Sequence, residues 1–276
     1  GAAPQGGASA GGGGEGGQGF GDACTTDDSG TGSACQVPMN TTTVDPFDER
    51  CAIGPFCTYS ERGTFDQSGG VVRIHAPGFT GFWDWPEFRD PPPLLLRYVT
   101  GDFAVVTQMS LDLPDPPAPN DLFRIGGFLV RTPNGEPQVD DPDERWIKFE
   151  YGYVNFMGSG PFHGLLLAHD PGGGTQTAAH IGSVDTQGHV DTITIGLCRI
   201  DGEYRFGYRT TTSGAFTQAG PGPLTGPDNT VQLALQAGAF NAIPQTTTAT
   251  FEFIAYRQGS AMAGLGCEVH LEQLAD

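Results

Sequence analysis

WDWPEFRDPPPLLLRYVTGDF, Trp83 to Phe103, places two tryptophans and a run of three prolines ahead of a hydrophobic stretch. The hydrophobic stretch decides the fold. In GDFAVVTQMSL (101–111), Phe103, Val105, Thr107, Met109 and Leu111 recur at every second position. That is the period of a half-buried strand, not the 3.6-residue period of a helix. Trp83 and Trp85 stand at i and i+2, so they share a face in an extended chain. Burial against the fold is the favoured reading of that pair, and a sugar platform is the other.

Further strand-like runs along the chain are VVRIHA, RIGGFLVR, RWIKFEYGYV, FHGLLLAH, HVDTITIGLCRI, EYRFGYRT, TVQLALQAG, TATFEFIAYR and CEVHLEQL. Gly, Pro, Asp or Asn separates most of these runs, and no segment carries a convincing helical period. Many short strands joined by turns predict an all-β, two-sheet antiparallel sandwich of the jelly-roll kind. The composition agrees. The chain has 276 residues with 43 Gly and 22 Pro, both of which weaken helix interiors.

The pattern divides the chain into three units. Residues 1–21 contain 11 Gly and read as a low-complexity arm or tether. Residues 22–68 read as an irregular, cysteine-bearing extension, and residues 69–276 as the sandwich. GAAPQGGASAGGGGEGGQGFG resembles the small-residue tether that comes after the lipid-bearing cysteine of a bacterial lipoprotein, with that cysteine absent. A first residue other than Met suggests a removed signal peptide.

Six cysteines, Cys24, Cys35, Cys51, Cys57, Cys198 and Cys267, contain no CxxC pair. Their spacings do not suit zinc. An even number concentrated in a core-poor segment predicts disulfides and an oxidising, extracytoplasmic compartment. The preferred pairing is Cys24–Cys35, Cys51–Cys57 and Cys198–Cys267, one of the fifteen that six cysteines allow. The formal charge of −19 repels phosphate backbones, which argues against a nucleic-acid partner. No apolar run approaches the ~20 residues of a membrane-spanning helix.

The segments PPPLLLRYVTGDFAVVTQMS, GGFLVRTPNG, ERWIKFEYG and GEYRFGYRTTTSGAFTQ together resemble the DUF1349-type domains. These are related to "regulation of enolase protein 1" and belong to the concanavalin A-like lectin/glucanase fold. The resemblance covers roughly residues 70–258. It implies a twisted two-sheet sandwich, usually in a secreted or surface protein and often with carbohydrate recognition.

Strand alternation also defines a second face. In RWIKFEYGY, Ile147, Phe149 and Tyr151 point one way, while Trp146, Lys148 and Glu150 point the other. Tyr204, Phe206 and Tyr208 oppose Arg205 and Arg209. Val231, Leu233 and Leu235 oppose Gln232 and Gln236. If these strands share a sheet, one face carries Trp, Lys, Glu, Arg and Gln. The resemblance makes that face the concave groove of a lectin-like fold. An aromatic ring among planar hydrogen-bonding groups suits a sugar, since the ring stacks on C–H faces and the polar groups fix hydroxyls. The other reading is a solvated face held by cross-strand ion pairs.

Catalysis has less support. Glycosidases need two carboxylates across one bond, and no ExDxxE-like run is present. Glu252 is a second acid with nothing in the sequence to tie it to Glu150. GxSxG and HExxH are absent. No cofactor is required. Calcium is the sole metal suggested, by Asp27 and Asp28 or by Asp140, Asp141 and Asp143, neither group having the spacing of a calcium loop. His163 and His169 lie six residues apart, roughly 20 Å along a strand, too far to share an ion.

Three functions are expected, in this order. The first is a secreted or surface-anchored binding module whose partner is a glycan or surface polymer. The second is a structural or accessory subunit whose glycine-rich arm packs on a neighbouring protein subunit. The third is a polysaccharide-active enzyme.

Overall fold

The computed structural model describes residues 42–45, 57–59, 63–78, 92–113, 121–132, 145–156, 160–170, 179–186, 188–211, 214–227, 230–241 and 246–276. The strands, in chain order, are β1 (Thr42–Asp45), β2 (Cys57–Tyr59), β3 (Thr64–Ser68), β4 (Val71–Ala76), β5 (Leu94–Thr100), β6 (Phe103–Leu111), β7 (Asp121–Arg131) and β8 (Trp146–Phe156). They continue with β9 (Gly160–Asp170), β10 (Ala179–Asp185), β11 (Ile193–Ile200), β12 (Glu203–Arg209), β13 (Thr217–Thr225), β14 (Thr230–Asn241) and β15 (Thr247–Gln258). A nine-residue helix, α1 (Cys267–Ala275), comes last.

The first sheet runs β13-β12-β11-β6-β15-β4-β3, with β1 also paired to β15. The second runs β10-β9-β8-β7-β14-β5-β2. All pairings are antiparallel. This is the expected two-sheet antiparallel sandwich. The strands reach back beyond residue 69. β1, β2 and β3 lie in the cysteine-bearing extension and contribute to both sheets.

Tight hairpins fix the register. Asp201 and Gly202 join β11 to β12 with φ of 53° and 78°, the left-handed pair of a type I′ turn. Gly69 and Gly70 do the same between β3 and β4, at 65° and 76°. With register fixed, alternation sends Phe103, Val105, Met109 and Leu111 inward, together with Ile147, Phe149, Tyr151, Tyr204, Phe206, Leu233 and Leu235. Each such side chain contributes about 1.5–3 kcal/mol on burial. Phe149 of the second sheet meets Phe206 of the first at 5.4 Å between ring centroids. The Arg97 guanidinium of β5 lies 4.4 Å over the Tyr256 ring of β15, so the inter-sheet layer also contains a cation–π contact.

The outer face of the first sheet is covered by α1. CEVHLEQL, read from sequence as a strand, is helical. Its buried residues Cys267, His270, Leu271 and Leu274 stand at i, i+3, i+4 and i+7, one stripe of a helix. They pack on Ala104, Val106, Cys198 and Ala255. Small residues let the helix approach: a Cβ on Gly196 would stand 2.9 Å from Leu271 Cδ2. The Cys198–Cys267 disulfide joins helix to sheet, as the cysteine pattern predicts. The other expected pairs, Cys24–Cys35 and Cys51–Cys57, involve Cys24, Cys35 and Cys51, which fall outside the described residues, as do Trp83 and Trp85 and the aspartates weighed for calcium.

Candidate functional site

The outer face of the second sheet, away from the inter-sheet core, gathers the polar residues that alternation singled out. The ladder arranges them in rows. Tyr98, Gln232, Arg131, Trp146 and Asp170 are consecutive partners across five strands. The next row is Leu96, Ala234, Leu129, Lys148 and Ala168, and the third is Leu94, Gln236, Gly127, Glu150 and Leu166. Trp146, Lys148, Glu150, Gln232 and Gln236 therefore lie within three adjacent rows of one sheet.

This face is enclosed. Trp146 and Lys148 are 2% exposed, Glu150 1%, Gln232 0% and Gln236 3%. The Trp146 ring packs in an apolar cluster with Leu94, Leu96, Leu129, Ala168 and Ala234. Lys148 Nζ stands 4.9 Å over that ring, a cation–π contact strengthened by desolvation. Gln236 Nε2 donates to Glu150 Oε1 at 2.5 Å. Gln232 Nε2 donates to Tyr98 Oη at 2.8 Å. Arg131 Nε donates to the Thr132 carbonyl at 3.3 Å. Tyr98 and Arg131 escape a reading of the sequence because LLLRYV and RIGGFLVR are apolar on both faces, which hides their alternation.

Arg205 and Arg209 are not part of this face. β12 belongs to the first sheet, so the single polar face expected from sequence is two faces of opposite sheets. Both arginines hold α1. Arg205 Nη1 meets Glu268 Oε1 at 3.2 Å, an exposed pair that contributes little. Arg209, 7% exposed, reaches Asp276 at 3.2 Å and donates to the Ala275 carbonyl, placing a cation at the helix C-terminus where the dipole favours it.

The two carboxylates weighed for catalysis are also separated. Glu150 faces out from the second sheet. Glu252 is exposed on the first, where it accepts from Gln108 Nε2 at 2.7 Å. They cannot flank one glycosidic bond. No group of three or more His, Cys, Asp or Glu suited to a metal ion occurs among the described residues. His163 instead packs between Tyr153 and His189, with ring centroids 5.5 and 5.6 Å away. Burial pushes His169 below its ordinary value, with Asp170 opposing.

No protein-family model matches the chain, and no curated protein does. Solved structures do. A GH43 protein from Bacillus licheniformis, BlXynB, aligns at TM-score 0.55 and 9% identity, over 81% of this chain and 40% of that one. The present chain thus spans two fifths of that protein's length. A functionally unknown protein from Saccharomyces cerevisiae aligns at TM-score 0.52 and 14% identity, covering 76% and 97% of the two chains. The CBM2 module of the evolved Dit of Lactobacillus casei BL23 phage J-1 aligns at TM-score 0.50 and 7% identity, covering 80% and 96%. The last two match along nearly their whole lengths. At these identities the likeness shows the fold: a two-sheet antiparallel sandwich. No helix among the described residues is long and apolar enough to cross a membrane.

Proposed function

We propose that the protein is a non-catalytic, extracytoplasmic binding module of the DUF1349 type that takes a saccharide at the outer face of its second sheet. One observation carries this reading. A tryptophan, a lysine, a carboxylate and two amides converge on a sheet face that the inter-sheet core does not need, each 3% exposed or less. A face that only packs is served best by apolar side chains, because buried polar groups cost desolvation. A face that only meets solvent does not bury them. The residue types suit a polyol, with an indole for its C–H surface and amides and a carboxylate for its hydroxyls, and binding requires the enclosure over them to open. The buried Cys198–Cys267 disulfide supports a secreted or surface location.

The test is polysaccharide pull-down and calorimetry with soluble glycans. Trp146→Ala is expected to weaken binding by tenfold or more, about 1.4 kcal/mol. Wild-type protein that retains no glycan across a broad panel defeats the proposal.

The enclosure of the same face favours a second reading, a structural or accessory subunit in which the row is a packing layer. Trp146→Ala would then lower stability, and the native particle would place residues 1–21 against another chain. A polysaccharide-active enzyme ranks third. It requires product release lost in Glu150→Gln, and the separation of Glu150 from Glu252 weighs against it.

A further inference from the structure

The first sheet carries a cleft of its own, on the opposite side of the sandwich from Trp146. It measures about 350 Å³. Gln108 and Thr194, cross-strand partners on β6 and β11, form its floor. Val190, Asp191 and Thr192 make one wall, and Thr210 and Thr211 the other.

Two features make it a prepared site. The wall is fixed from inside the core: the buried Tyr151 hydroxyl accepts from the Val190 N–H at 2.7 Å and donates to the Val190 carbonyl at 3.1 Å. The floor amide is fixed from outside. Gln108 Nε2 donates one N–H to Glu252 Oε2 at 2.7 Å, which orients the amide, whose carbonyl oxygen is an acceptor and whose second N–H is a donor. Thr194 beside it is 3% exposed.

The lining chemistry selects the ligand. Four threonines bring hydroxyls that donate and accept, Gln108 Oε1 accepts, Asp191 accepts at the exposed rim with one oxygen 3.5 Å from His189 Nε2, and Val190 offers an apolar wall. Among the described residues no lysine or arginine lines the cleft, the flanking Arg209 is engaged by Asp276, and Asp191 with a formal charge of −19 repels anions. Phosphate, sulfate and acidic sugars are therefore disfavoured. One carboxylate is too few for a hard cation, which takes six to eight oxygens. What remains is a compact, neutral molecule rich in hydroxyls. We infer that this cleft is a saccharide site for a single neutral pyranose unit, separate from the face around Trp146 and not dependent on it.

The experiment titrates the whole protein with methyl glucoside, methyl galactoside, methyl mannoside and methyl xyloside, monitored by ligand-observed NMR. Glucuronate and inorganic phosphate serve as charged comparators. At least one neutral glycoside should saturate, and the isosteric Thr194→Val should weaken it about tenfold by leaving a sugar hydroxyl without its partner. Polysaccharide pull-down should be unchanged in Thr194→Val, because Thr194 lies on the other sheet. If Thr194→Val does not fold, Asp191→Asn on the exposed rim replaces it with the same expectation. The inference is overturned if no neutral glycoside saturates by about 50 mM, or if the folded variant binds as wild type does. It is also overturned if a charged comparator binds as well, or if binding is lost in Trp146→Ala instead. That last outcome would leave the Trp146 face standing alone as the saccharide site.

Discussion

Gln236 donates to Glu150 at 2.5 Å although Gly127 stands between them in the ladder. β14 and β8 are not neighbours, and each pairs with β7. Two strand spacings separate the two backbones, roughly 9–10 Å. The side chains can close that gap only because the intervening position projects nothing. Gly127 has φ 154°, and a Cβ there would stand 2.8 Å from the Glu150 Cα. The glycine in RIGGFLVR is thus part of the polar row. Gln236→Leu, of similar size, removes the donor to a buried carboxylate and should lower stability by about 1.5–3 kcal/mol. Gly127→Ala should cost at least as much and uncouple the pair as well. Urea unfolding of both variants checks this, and a Gln236→Leu protein as stable as wild type would deny the bond a structural role.

The helix α1 rests on a sheet face of small residues, and its disulfide closes a separation of 69 residues. A cross-link of that length restricts the unfolded chain by about 4 kcal/mol on the chain-entropy model, with measured values commonly about 2–4 kcal/mol. The double variant Cys198→Ala/Cys267→Ala should fold with that loss. Its α1 should then be held by Leu271 and Leu274, by the His270 hydrogen bonds and by the contacts of Arg205, Arg209 and Arg257, without the covalent link. Hydrogen exchange resolved at residues 267–275, compared with the strands of the first sheet, measures it. Unchanged protection would show that packing alone seats the helix.

Much of the architecture was legible because alternation is a local property. Ile147, Phe149 and Tyr151 against Trp146, Lys148 and Glu150 needed only a period of two, and the structure places both sets on the faces that period requires. Sheet membership is not local. EYRFGYR alternates as cleanly as RWIKFEY, yet its ladder partner β11 carries it into the other sheet, and Arg205 and Arg209 go with it. CEVHLEQL satisfies a short strand pattern and a helical stripe equally, and only docking of Cys267, Leu271 and Leu274 onto one surface settles which is formed. The cleft of the first sheet left no mark in the sequence, because Gln108, Asp191, Thr194 and Thr211 are brought together by β6, β11, the segment entering β11 and the chain leaving β12.

The buried His270 predicts acid sensitivity. Its Nδ1 accepts from Arg257 at 2.9 Å and its Nε2 donates to the Met262 carbonyl at 3.2 Å, an arrangement that fits the neutral ring. Burial, aided by Arg257 and opposed by the Met262 carbonyl, holds its pKa below the ordinary value. A histidine with a depressed folded pKa binds fewer protons in the native state than in the unfolded one below pH ~6.5. Its contribution is complete above that pH and is lost as pH falls through the window beneath it. His169 shifts in the same direction. Thermal midpoints recorded from neutral to mildly acidic pH should therefore fall, and His270→Gln should flatten the slope while lowering the neutral value. A slope that His270→Gln leaves intact would assign the acid response to other groups.

Tyr151 links the core to the cleft and gives an alkaline counterpart. Its ring lies in the inter-sheet core, and its hydroxyl makes both hydrogen bonds to the Val190 backbone. Burial is the largest influence on the phenol and raises its pKa, against the lowering effect of Val190. An acid whose folded pKa is raised contributes fully below its unfolded value. That contribution is lost as pH climbs past about 10, where the unfolded chain ionises first. Tyr151→Phe keeps the ring and removes the hydroxyl. It should cost about 1–2 kcal/mol near neutrality and abolish this part of the alkaline decline. It should also speed amide exchange at Val190, with little change at Leu197 in the middle of β11. Loosening that wall should weaken neutral glycoside binding in the cleft by several-fold while leaving polysaccharide retention at the Trp146 face intact. A Tyr151→Phe protein with wild-type exchange at Val190 would show that the turn is held by its own contacts rather than by the core.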